Sequence, residues 1–345
     1  MLHGHGDDLY QYPDISINFS SNVYNHFNQD KLFAYLTERL QMISNYPEPA
    51  PLRLEKELAG ALSLAPAEVL VSNGATEAIY LLAQTWQGAQ SRILVPTFSE
   101  YADACRMHNH EVRYIHSLGE ISSDKATRPD SQSFASLVWL CNPNNPTGEV
   151  LDKELLLGTF HDNPDTLFVV DASYAVFTRK SLLSAAEAAS LPNVLMLHSM
   201  TKEFAIPGLR LGFVTGCDKL LGLVRENRMP WSVNALAQDA GSYLIRHRQD
   251  YVLPLELLLS ERDRVATALN GLGIETWPSD THILLCRLPR GKAADLKDWL
   301  ALSHGILIRD ASNFEGLTDA CFRIAVQTPV ENDALLSAIM SQVRL

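Results

Sequence analysis

The sequence predicts an α/β protein: a mostly parallel sheet with helices on both faces, followed by a smaller α+β unit. Three observations predict it. Short apolar runs alternate with segments of helical spacing over the earlier part of the chain. From about Val233 the texture changes to a long helical stretch and then short strands. The chain has 345 residues, 46% hydrophobic and 20% charged, which supplies apolar material for a core and length for two domains.

Taken in order, the first thirty or so residues are polar and turn-rich and read as an arm rather than a core element. PLRLEKELAGALSL, residues 51–64, repeats its apolar positions at helical spacing. EVLVSNG (68–74) is a short strand ending in a turn, and ATEAIYLLAQTW (75–86) is a helix starting straight after it. RILVP (92–96) is a strand and SEYADACRMH (99–108) a helix. EVRYIH, SLVWL, TLFVVD, NVLMLHS and LRLGFVTG are further buried-strand candidates. Strands alternating with helices imply parallel pairing with crossovers. One long helical stretch is expected through NALAQDAGSYLIRH and on into LELLLSERDRVATALNGL. THILLCRL, GILIRD and CFRIAVQ then read as strands, mixed with two helices.

Bulk properties exclude several function classes. A formal net charge of -12, with no Lys/Arg cluster, argues against nucleic acid as a partner. The cysteines, Cys105, Cys141, Cys217, Cys286 and Cys321, form no CxxC pair and have no histidine partners at metal-ligand spacing. No metal is expected, and an unpatterned odd count fits a reducing cytoplasm. The segment MLHGHGDDLYQYPD has neither the basic nor the apolar region of a signal peptide, and no apolar run is long enough to span a bilayer.

Four motifs carry chemistry. In SMTKEFAIPGLRLGF an apolar strand delivers Ser199, Thr201 and Lys202, and Arg210 follows. A lysine can form an imine with an aldehyde, and hydroxyls beside a guanidinium can hold a phosphate. Alone, the same residues read as a solvated lysine and a helix cap. In TLFVVDASY, Asp171 ends a strand and Tyr174 sits three residues on. A carboxylate there points into the ligand crevice of an α/β sheet, or caps the next helix. CNPNNPTGEV forces a rigid turn that presents Asn145, and is otherwise a generic turn. SNGATEAI opens a helix, so the amides of Ala75 and Thr76 after Gly74 offer an anion site, or Thr76 is a cap.

In their order along one chain, these motifs resemble the fold-type I pyridoxal 5'-phosphate (PLP) enzymes of the class I and II aminotransferase family. The resemblance runs from NFSSN to FRIAV. It implies the type I PLP-dependent transferase fold, with a large domain built on a mostly parallel seven-stranded sheet and a smaller α+β C-terminal domain. The expected division is an arm over residues 1–28, a PLP-binding domain over 29–247 and a small domain over 248–345. It implies PLP held by Lys202, with Asp171 pairing the pyridine nitrogen and Tyr174 beside it. Gly74, Ala75, Thr76, Ser199, Thr201 and Arg210 would hold the phosphate, Asn145 the phenolic oxygen, and Phe98 would stack on the ring. Tyr46, in SNYPEP, would reach the cofactor of a neighbouring subunit, which implies a homodimer with shared sites. Arg323, in CFRIAV, would grip a substrate carboxylate. Its apolar strand context also calls for an anionic partner.

Within the family, NYPEPAPLRLEKELA and CNPNNPTG resemble the histidinol-phosphate aminotransferases. RMPWSVNALAQDAG, GILIRDASNFEGL and an N-terminal HG dipeptide followed by INFSSNV resemble the threonine-phosphate decarboxylases of cobalamin biosynthesis. The second likeness implies decarboxylation of L-threonine O-3-phosphate to an aminopropanol phosphate. His5, Asn22, Arg309 and Arg323 would then bind the substrate's phosphate and carboxylate. His3 also sits in an HG dipeptide, and HGDDL favours the His5 register. Gln327 stands where those decarboxylases carry a second basic residue.

Overall fold

A computed structural model describes residues 6–123 and 136–343. All seven expected strands of the first unit form. They are β1 (Val69–Ser72), β2 (Gln90–Leu94), β3 (Glu111–Ile115), β4 (Ser136–Cys141), β5 (Thr166–Asp171), β6 (Val194–Ser199) and β7 (Gly212–Gly216). They make one sheet in the order β1-β7-β6-β5-β4-β2-β3. Only β7 runs antiparallel to its neighbours. Strands β4 and β5 are buried along their whole length, which is why they read as unbroken apolar runs. Alternation along β5 serves both faces of the sheet. Leu167 and Val169 pack with Trp139 and Leu195 on one side, while Phe168 and Val170 pack with Leu156 and Phe160 on the other.

The second unit has a four-stranded antiparallel sheet, in the order Arg309–Asp310, Cys321–Ala325, Ile283–Arg287, Glu275–Thr276. Helices Leu255–Gly271, Ala293–His304 and Pro329–Val343 accompany it. The long helical stretch expected after residue 234 is in fact two helices, Ala235–Arg246 and Leu255–Gly271. Pro254 stands at the break: it has no N–H to give a continuing helix and biases the residue before it away from helical geometry.

The N-terminal segment departs from its reading as a mere arm. Ile17–Asn18 pairs in parallel with Ile306–Leu307, and Phe19 is fully buried. The Phe19 amide donates to Leu307 O at 2.8 Å and its carbonyl accepts from Ala325 N at 3.0 Å. Polar neighbours hid buried apolar residues, Phe19 with Val23 and Tyr24, and Phe19 ties this segment to the small sheet. No helix among the described residues is long and apolar enough to cross a membrane.

Candidate active site

One cleft collects almost every chemistry-bearing residue. It measures about 1050 Å³ counting its open mouth. It lies at the carboxyl ends of β1, β2, β4, β5 and β6, where a parallel sheet opens a crevice. Asp171 is the last residue of β5 and Ser199 the last of β6. Phe98 and Asn145 follow β2 and β4. Antiparallel β7 starts at the same edge, which brings Arg210 there. Ala75, Thr76, Thr201, Lys202, Tyr174, Asn22, Arg309 and Arg323 also line it.

Lys202 sits on the short helix Met200–Glu203 and donates from Nζ to Asn22 Oδ1. Asn22 Nδ2 in turn donates to the Tyr174 hydroxyl. Burial, reinforced by the charge of Arg323, lowers the Lys202 pKa from 10.5 to about 7. Burial likewise raises that of Tyr174, so its hydroxyl stays protonated. Asp171 accepts from the Tyr101 hydroxyl at 2.7 Å and from the Ser173 amide at 2.9 Å. Tyr101 stacks on Trp139 and meets Phe98 edge-on.

The anion-holding parts are equally specific. Gly74 opens the helix Gly74–Thr85 with φ +79°, and a Cβ there would stand 2.6 Å from Arg210 Nη2. That close approach places a guanidinium at the helix's positive end. Thr201 Oγ1 is buried with no hydrogen-bond partner. Arg309 and Arg323 face each other across adjacent antiparallel strands. Arg323 donates from Nη1 to Asn145 Oδ1 at 2.6 Å and from Nη2 to the Ser20 carbonyl, which leaves buried Nε unpartnered. Burial and the charge of Arg323 lower Arg309 to about 10.

Some expected residues stand elsewhere. Gly74 shapes the cleft through Arg210 without lining it. Tyr46 is 89% exposed, away from the cleft and 5.7 Å from the Trp231 ring. His3 and His5 lie outside the described residues. Gln327 is buried and donates to Val23 O at 3.1 Å, so it fastens the N-terminal segment rather than lining the cleft. Sequence reasoning missed Tyr101, which lies in the first turn of the helix Glu100–Met107, just after Phe98. It also missed Gly212, where a Cβ would stand 2.7 Å from Ala75 N. Asp7, Ser20 and Ser21 line the cleft too; they fall inside HGDDL and NFSSN, but neither motif assigned them a role.

This sheet edge is where PLP enzymes of the type I fold do their chemistry, and the chain is one of them. It matches the family described as aminotransferase class I and II over residues 14–339 and belongs to that family. Among its relatives, threonine-phosphate decarboxylase of Salmonella typhimurium is 31% identical, over 95% of this chain and 91% of that one. A histidinol-phosphate aminotransferase of Parabacteroides distasonis is 27% identical over 86% of each. The crystal structure of L-threonine-O-3-phosphate decarboxylase from Porphyromonas gingivalis superposes with a TM-score of 0.88 at 37% identity, covering 95% of this chain and all of that one. The histidinol-phosphate aminotransferase of Clostridium acetobutylicum shares the fold, with a TM-score of 0.83 at 24% identity and coverage of 95% and 99%. The cofactor is pyridoxal 5'-phosphate. The residues present fit it: a buried lysine whose ammonium form is disfavoured for its aldehyde, and an unpartnered threonine hydroxyl in the same cleft as a helix end and an arginine for its phosphate.

Proposed function

We propose that this chain decarboxylates L-threonine O-3-phosphate, releasing carbon dioxide and an aminopropanol phosphate. The observation that carries the choice of reaction is the likeness to threonine-phosphate decarboxylases over nearly the whole chain. The cross-strand pair Arg309 and Arg323 on the cleft wall fits an anionic substrate in this reading and in the aminotransferase reading alike. Like charges directly opposite each other destabilise a sheet. Their placement suits a substrate with two anionic groups, since each guanidinium offers a fork of donors. The full-length likeness to threonine-phosphate decarboxylases supports the same substrate.

Bound PLP supplies an electron sink for the pair left on Cα when one of its bonds breaks. The chain's residues do the rest. Lys202 would hold the cofactor, and Asp171, oriented by Tyr101, would pair its ring nitrogen with Tyr174 beside it. Asn145 would serve the phenolic oxygen and Phe98 the ring. Ala75, Thr76, Ser199, Thr201 and Arg210 would hold the phosphate. Arg323 holds the substrate carboxylate and Arg309 its phosphate, with Asn22 and His5 beside them. Fixing both anions would orient Cα against the bound cofactor, and so select which bond breaks. The Cα–carboxylate bond breaks, carbon dioxide leaves, and a proton takes its place on Cα. Lys202, steered by Asn22, carries that proton. Residues 29–247 bear the cofactor and 248–345 bring the two arginines. A second copy supplies Tyr46 in a homodimer, and the enzyme works in the cytoplasm.

The test is direct. The holoenzyme is incubated with phosphothreonine and carbon dioxide is followed. It is then incubated with histidinol phosphate and 2-oxoglutarate, and glutamate is followed. Carbon dioxide release is expected. Glutamate without carbon dioxide would overturn the reading in favour of an aminotransferase.

A further inference from the structure

Lys297 is a buried charge that the chemistry above does not use. It lies on the helix Ala293–His304 and pairs with Asp8, the two side chains being 10% and 6% exposed. Its ammonium also lies 5.3 Å from the centre of the Tyr12 ring, and the Tyr12 hydroxyl donates to Asp298 Oδ1 at 2.6 Å. One turn of 3-10 helix, Leu9–Gln11, separates the two contacts, so the N-terminal segment grips Lys297 from two sides. Taking a lysine and a carboxylate out of water is unfavourable unless the geometry holds them together. A buried pair between residues so far apart in sequence is therefore a fixed attachment point.

What it attaches is the wall of the cleft. Gly6 and Asp7 precede Asp8 and line the cavity. The Asp7 amide donates to Ser20 Oγ at 2.9 Å, and Asn18 Nδ2 donates to Asp7 Oδ1 at 2.5 Å. A Cβ on Gly6 would stand 2.9 Å from Arg309 Cδ and 3.3 Å from its Nε. The backbone at Gly6 thus lies flat on the Arg309 side chain. We propose that Lys297 is a positioning residue: through Asp8 it clamps Gly6 and Asp7 onto Arg309, and so sets the guanidinium that receives the substrate's phosphate. The proposal rests on the role assigned to Arg309 above.

The test compares four holoenzymes: the unaltered chain, Lys297→Met, Asp8→Asn, and the exchanged pair Asp8→Lys with Lys297→Asp. Two quantities are read, the kinetics with phosphothreonine and the amide hydrogen exchange of residues 6–20. Each single change is expected to raise KM about tenfold or more, with kcat falling as well because Arg309 also orients the substrate, and with the cofactor absorption kept. Exchange in residues 6–20 should quicken in both, and the exchanged pair should recover part of each loss. Equal KM and equal exchange in all four would overturn the proposal. So would a fall in kcat at constant KM. If the unaltered chain does not turn over phosphothreonine, the proposed substrate fails on its own, and the exchange data alone decide the clamp.

Discussion

Lys202 is where local chemistry is most exposed to test. Burial and Arg323 both disfavour its ammonium form, and its pKa falls to about 7. An amine is a nucleophile only when neutral, and at pH 7 a solvated lysine is neutral in only about one part in a few thousand. In the cofactor-free protein, limited acylation at pH 7 mapped by mass spectrometry should therefore modify Lys202 ahead of the other lysines. The rate at Lys202 should be half-maximal near pH 7; a midpoint above about 9 would mean an ordinary solvated amine. The sign for stability follows from the same shift. Between about pH 7 and 10.5 the unfolded lysine holds a proton that the folded one has lost, so stability of the cofactor-free chain rises with pH across that window and is lost as pH falls back to 7. Lys202, Asp171 and Asn145 were legible in the sequence because each sits at a fixed offset from an apolar strand. Asn22 and Lys297 owe their contacts to partners 180 and 289 residues away. Asn22 was reached only through family likeness, and Lys297 through no local signal.

Secondary structure was legible wherever burial imposes a period. All seven strands of the main sheet appear: the central ones carry unbroken apolar runs, and the edge strand β3 alternates exposed Glu111 and Arg113 with half-buried Val112 and Tyr114. The helix across residues 248–254 was misread because apolar spacing continues on both sides of a proline that ends the hydrogen-bond ladder. Gly212 shows what periodicity cannot convey. It begins β7, and the turn at Gly74 and Ala75 comes so close that a Cβ would meet Ala75 N at 2.7 Å, His198 O at 2.8 Å and Gly74 C at 2.9 Å. All three are backbone atoms, so none can swing aside. Gly212→Ala must push the helix end away from Arg210. The expected cost is about 1–3 kcal/mol of stability, as for other overpacked sites. A loss of PLP affinity should accompany it while far-UV circular dichroism keeps its shape. Unchanged affinity, measured by titrating the cofactor-free variant, would mean that this helix end does not hold the phosphate.

The site is incomplete in a single chain if Tyr46 belongs to it. Tyr46 is 89% exposed, and Ile43, Met229 and Trp231 are exposed beside it in chain segments joined by a 2.8 Å bond from Trp231 N to Pro49 O. These exposed apolar side chains are where the proposed second copy would dock. A two-fold pairing would let each copy lend Tyr46 to the other's cleft. The expected consequence is complementation between two inactive variants. In Lys202→Ala the chain lacks its own amine but still offers Tyr46; in Tyr46→Ala the chain keeps its amine but has nothing to lend. A mixed pair then contains one site with both residues altered and one site with both intact. Random reassortment of equal amounts puts half the molecules in mixed pairs, so about a quarter of all sites should regain activity. If Tyr46 served its own chain's cleft, each site of a mixed pair would still lack one residue and mixing would restore nothing. Activity after unfolding and refolding the two variants together, against each refolded alone, separates these geometries.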